Sequence, residues 1–150
     1  MACPFFTPSQ RLDSDWPFPH RLPLGAAWSG TCAAAAQTVQ PSSEELKSCN
    51  TGYARSCDKL PTERKADAVR FALGEERDGL LKVRFALERE YLPAGHGELV
   101  YEVQTCGWRE QHPSACVQKM AQCYVESQLA RRAASATVAA SASPVEKLSE

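Results

Sequence analysis

Val69-Arg70-Phe71-Ala72-Leu73 and Leu81-Lys82-Val83-Arg84-Phe85-Ala86-Leu87 decide the fold of this chain. In both, large apolar residues alternate with charged or small ones, the period of a strand with one buried face. The string Val-Arg-Phe-Ala-Leu occurs twice, at 69–73 and 83–87. Working outward, Leu99, Tyr101 and Val103 alternate with Val100 and Glu102 and add a third strand. Between the first two strands lies Arg77-Asp78-Gly79. A two-residue Asp78-Gly79 turn would set Phe71 opposite Ala86 and Leu73 opposite Arg84, mixing the two faces. A three-residue turn with Gly79 left-handed pairs Phe71 with Phe85 and Leu73 with Val83, and is therefore expected.

Past the third strand, a loop from Thr105 to His112 leads to a helix expected over 113–132, with Pro113 in its first turn. Val117, Met120, Ala121, Tyr124 and Gln128 trace one side of it, which should cover the apolar face of the sheet, since three strands cannot bury that face alone. Residues 133–150 are small and polar without a periodic apolar face, and are expected to be disordered. Residues 1–60 hold six of the ten prolines and read as a loop-rich arm. Its one regular element is a short helix, Glu44 to Cys49, capped by Ser42-Ser43-Glu44-Glu45 and stopped at Gly52. The fold class is thus α+β: a three-stranded antiparallel β-meander packed by a C-terminal helix. The division is an arm at 1–60, a core at 61–132 and a tail at 133–150.

With 17 basic and 18 acidic residues the formal charge is −1, which gives no field to attract nucleic acid or anionic lipid. The first 25 residues carry Asp13, Asp15 and five prolines and no apolar run, so neither a signal peptide nor a membrane span is expected, and the cytoplasm is the expected location.

Seven cysteines in a reducing compartment call for a reason other than disulfides. Four of them, Cys3, Cys32, Cys49 and Cys57, fall in the arm, separated by 28, 16 and 7 residues. Four thiolates suit a soft metal or an iron–sulfur cluster, and a ligand would order a segment with little apolar surface of its own. An iron–sulfur cluster is the leading expectation, echoed by the Cys3-Pro4 pair. Zinc is the alternative, weakened because no Cys-x2-Cys knuckle occurs. The order Cys3-Pro4-Phe5-Phe6, then Cys32, then Cys49-Asn50-Thr51-Gly52-Tyr53-Ala54-Arg55-Ser56-Cys57 resembles a four-cysteine segment of uncharacterised bacterial proteins, some of which carry it beside unrelated modules such as LysM domains. Ala66–Leu73 with His96-Gly97 is similar to small hypothetical bacterial proteins of this length. The resemblance, over about residues 3–130, implies that the four cysteines act as a unit; it implies no activity.

Other candidates are weaker. Cys116, four residues after His112 at a helix start, could be a nucleophile, which makes a cysteine-dependent or redox enzyme the rival reading; no third group to orient a Cys–His pair is evident. Cys116 and Cys123 share a helix side and suit packing. His96, in Pro93-Ala94-Gly95-His96-Gly97, is expected on a loop and could serve as a spare ligand. Arg70, Lys82 and Arg84 fall on the outer sheet face and, with Trp108 or Tyr91, could hold a nucleic-acid strand, as in a zinc-stabilised binding module. Glu75 and Glu102 dilute that surface. Glu88, Glu90 and Glu98 show no pocket that would make them a catalytic pair. The leading function is a small metal-binding accessory or interaction protein that docks a protein partner or carries an electron.

Overall fold

The computed structural model describes residues 1–12, 16–52 and 57–141. Its elements are β1 (Phe6–Leu12), β2 (Ala27–Cys32), α1 (Ser43–Thr51), β3 (Ala68–Arg77), β4 (Leu80–Arg89), β5 (Leu92–Glu102), β6 (Gly107–Trp108) and α2 (Ala115–Ser141), with a 3-10 turn at Pro19–Arg21. The protein is α+β, but the single three-stranded meander is overturned. There are two sheets, a four-stranded antiparallel sheet in the order β3-β4-β5-β6 and a two-stranded sheet β1-β2. The fourth strand is only two residues long, Gly107–Trp108 against Glu102 and Tyr101, too short to leave an alternation in the sequence. The second sheet was hidden by proline: Pro8 sits beside the register shift of β1, where a missing N–H does least harm.

The expected register of the first hairpin is present, with Phe71 opposite Phe85 and Leu73 opposite Val83. The expected turn is not. Arg77 pairs with Leu80 across a two-residue turn, Asp78 and Gly79, both left-handed at φ 54 and 78. A bulge between Leu73 and Glu76 takes up the one-residue difference, so the tight turn and the unmixed faces coexist. His96 also departs from expectation: it lies in β5 opposite Ala86 and not in a loop.

The second helix starts at Ala115 and runs through Ser141, past the 132 boundary and into the segment expected to be disordered. Alanine needs no apolar face to be helical, and the side chains of 133–140 are exposed. Residues 142–150, the remainder of that tail, lie outside the described residues. The core is continuous across the presumed arm boundary. Ala2, Phe6, Leu24, Ala26 and Trp28 share one cluster with Val69, Phe71, Leu81, Val83, Leu99, Tyr101, Met120 and Val125. α2 lies between the sheets, touching β1 and β3, with Tyr124 stacked on Phe71 at 5.7 Å. Contact on two sides explains why Cys123, Val125 and Ser127 are buried together with the expected face. Among the described residues no helix is long and apolar enough to cross a membrane.

Candidate metal centre

Each arm cysteine is set by a different piece of backbone. Ala2 exchanges two hydrogen bonds with Val69, at 2.7 and 2.9 Å, and so extends the large sheet by one residue. Cys3 follows at the head of a turn closed by the Phe6 N–H on the Cys3 carbonyl, with Pro4 at the position where its fixed φ suits a turn. Cys32 ends β2 opposite Phe6 and is paired on its other side with Val39. Cys49 rides on α1, whose start is a capping box: the Ser42 hydroxyl accepts from the Glu45 N–H while the Glu45 carboxylate accepts from the Ser42 N–H at 2.7 Å. The helix ends at Gly52, left-handed at φ 82. Any side chain there would collide with the Met1 carbonyl. Residues 53–56, part of the quoted four-cysteine segment, lie outside the described residues. Cys57 opens a turn closed by the Leu60 N–H on its carbonyl.

These four thiols come to one place. Cys3, Cys32, Cys49 and Cys57 line a common cavity of about 20 Å³, completed by Ala34, Glu45, Ser48 and Leu60. None of the four is in a disulfide. Cys3 and Cys32 are buried; Cys49 and Cys57 are half-buried and form the outer side. Burial pushes the Cys3 thiol up to about 12 and the Cys49 thiol up to about 11, and the neighbouring thiols add to both shifts. Against this, the Phe5 N–H donates to the Cys3 sulfur, and the Ala34 N–H donates to the Cys32 sulfur at 3.5 Å. Such donors stabilise a thiolate once a cation draws off its proton. Among the described residues no group of three or more His, Cys, Asp or Glu side chains could by its present spacing hold a metal ion.

Two residues that the sequence did not connect with the cysteines' geometry shape this site. Asn50, read there only as part of a helix stop, is buried, and its side chain pairs with the backbone of β2. Its Oδ1 accepts from the Trp28 N–H at 2.8 Å, and its Nδ2 donates to the Trp28 carbonyl at 2.9 Å and to the Leu46 carbonyl at 3.0 Å. It joins the helix of Cys49 to the strand of Cys32. Glu45 lines the cavity and holds Lys59, two residues past Cys57, at 2.6 Å. In the sequence Asn50 stood out only as part of a helix stop and Glu45 only as part of a helix cap.

The remaining candidates lie elsewhere. The Cys116 sulfur is 3.1 Å from the Thr7 hydroxyl, while His112 accepts the Ser114 N–H on Nδ1 and packs edge-on against Phe85. Cys123 is a core thiol, pushed up to about 12 by burial. Cys106 is exposed. Arg70, Lys82 and Arg84 do share the outer sheet face, but they form ion pairs with Glu88 and Glu98 at 3.3 to 3.7 Å. Trp108 is on the opposite face, bonded to Gln122 and packed on Tyr101, and Tyr91 projects from a hairpin tip. No family model, no curated protein and no solved structure matches the chain.

Proposed function

We propose that this protein is a small metal-binding accessory or interaction protein, with an iron–sulfur cluster held by Cys3, Cys32, Cys49 and Cys57. The observation that carries this reading is the meeting of four thiols, from four separate segments, around one cavity without a disulfide. Apolar packing alone gives no reason for four cysteines to meet at one point. An iron–sulfur cube spaces its ligand sulfurs about 6–7 Å apart, whereas a single zinc ion would draw them to about 3.7–4 Å. The cavity itself has room for about one water-sized sphere, so seating a cube moves its outer side, Cys49 and Cys57, outward. Free thiols of this kind suit a reducing compartment, and the cytoplasm is the proposed location. The cluster fixes α1 and the Cys57 turn against the core, either to present them to a protein partner or to carry an electron.

Serine replacement tests the set. After anaerobic reconstitution with ferrous iron and sulfide, Cys3→Ser, Cys32→Ser, Cys49→Ser and Cys57→Ser should each lose most of the bound iron, and Cys106→Ser should lose none. Full iron content in two or more of the four variants would sink the proposal. Retention of zinc but not iron by the wild-type chain would replace the cluster with a zinc site.

A further inference from the structure

The outer side of the thiol cavity is bridged by one ion pair. Glu45 belongs to α1, four residues before Cys49, and its carboxylate reaches the Lys59 ammonium at 2.6 Å. Lys59 belongs to the turn that Cys57 opens, the turn closed by the Leu60 N–H. The pair therefore spans the two half-buried ligands, while Cys3 and Cys32 are held from behind by β2, by Val39 and by the Ala2–Val69 pairing. Glu45 is also pinned by the capping box, so it presents a fixed oxygen to the lysine and not a freely rotating one. Both side chains keep about a third of their surface in water, so by itself the pair adds little to folding.

Resting on the reading of the four thiols as one metal centre, we infer that Glu45–Lys59 is a latch for that centre. It ties the Cys57 turn to α1, so that the two half-buried ligands, Cys49 and Cys57, are held and move together. The effect is electrostatic and exposed, so salt must weaken it.

The test measures release of iron from the reconstituted wild-type chain and from Lys59→Met, Lys59→Arg and Lys59→Glu, using excess ferrous chelator under anaerobic conditions. At low salt Lys59→Met should release iron about two- to fivefold faster than wild type, Lys59→Glu faster still, and Lys59→Arg at the wild-type rate. In 1 M salt the spread should collapse, and the metal-free variants should melt with the wild type. Equal release by wild type and Lys59→Met at low salt would overturn the latch while leaving the metal centre standing. A spread that persists undiminished in 1 M salt would also overturn it. A wild-type chain that takes up no iron would remove the centre and the latch together.

Discussion

The two sheets of this protein are built on different principles. In the β3-β4-β5-β6 sheet, Val69, Phe71 and Leu73 of β3, Leu81, Val83, Phe85 and Leu87 of β4 and Leu99 and Tyr101 of β5 alternate on one face, so the alternation sets the register and burial does the rest. In the β1-β2 sheet the buried positions alternate only over short stretches, Phe6 and Pro8 in β1 and Trp28, Gly30 and Cys32 in β2, and few of them are large and apolar. Its register shifts beside Pro8, and it is held by particular groups: the Ala2–Val69 exchange, the Asn50 side chain against the Trp28 backbone, and Phe6 driven into the common core. A sheet of the first kind tolerates many sequences that keep the period. A sheet of the second kind depends on single residues, and around it the four thiols gather. The difference separates a scaffold from the site it carries.

The largest expected effect asks whether the two regions share one stability. Phe6 is fully buried and Phe71 nearly so, in the same cluster. Phe6→Ala and Phe71→Ala should each cost about 3–5 kcal/mol and shift a single cooperative denaturant transition. Two separate transitions in Phe6→Ala would divide the molecule into independent parts.

The next effect belongs to the thiols alone. Burial raises Cys3 to about 12 and Cys49 to about 11, so both hold their protons at neutral pH and well above it. Metal must displace both protons, so apparent affinity should rise about 100-fold per pH unit across the neutral range from these two groups. The metal-free chain should show the opposite trend. A thiol raised in the fold stabilises it fully below its unfolded value, near 9, and that contribution is lost as pH climbs toward 12. Titrations of metal binding and of melting against pH check both signs: a pH-independent affinity would contradict ligation by these thiols, and a metal-binding slope that flattens near pH 9 would contradict the burial argument.

Smaller effects compare the turns of the two regions. Gly52 and Gly79 are both left-handed. Gly79 has open room near Gln104, so Gly79→Ala should cost about 1 kcal/mol from backbone strain alone. Gly52 is pressed against the Met1 carbonyl as well, so Gly52→Ala should cost distinctly more. Equal losses by chemical denaturation would mean that the Met1 contact relaxes freely. Smallest of all, deleting residues 133–150 should change stability by under about 0.5 kcal/mol, because the described side chains there are exposed. A clear fall in melting temperature would show that this end of α2 docks.

What the sequence made legible follows the same division. Alternation placed β3, β4 and β5, and the Ser42–Glu45 box placed α1, because both patterns are local. The Phe71–Phe85 pairing came from face matching, which holds whether or not the turn is guessed correctly. The turn was missed because a bulge at Gly74 and Glu75 can offset a tight turn, and nothing in the residue types announces it. β1 and β2 were missed because their partners are distant in the chain and the buried positions fall on Pro8, Gly30 and Cys32, which do not mark an apolar period. The helical run after Arg132 was missed because amphipathicity was weighed above the helix propensity of alanine. The cysteines were singled out by type and count. Asn50 and the Glu45–Lys59 pair, which tie their segments together, became visible only with the chain folded.

The central claim is that four thiols of the arm form one metal centre. Iron and acid-labile sulfide analysis of the anaerobically reconstituted protein, with visible absorption recorded on the same sample, tests it most directly. The account predicts about four iron and four sulfide per chain and a visible charge-transfer band that vanishes in Cys32→Ser. A colourless, iron-free protein whose Cys3, Cys32, Cys49 and Cys57 all react separately with a thiol reagent would contradict it.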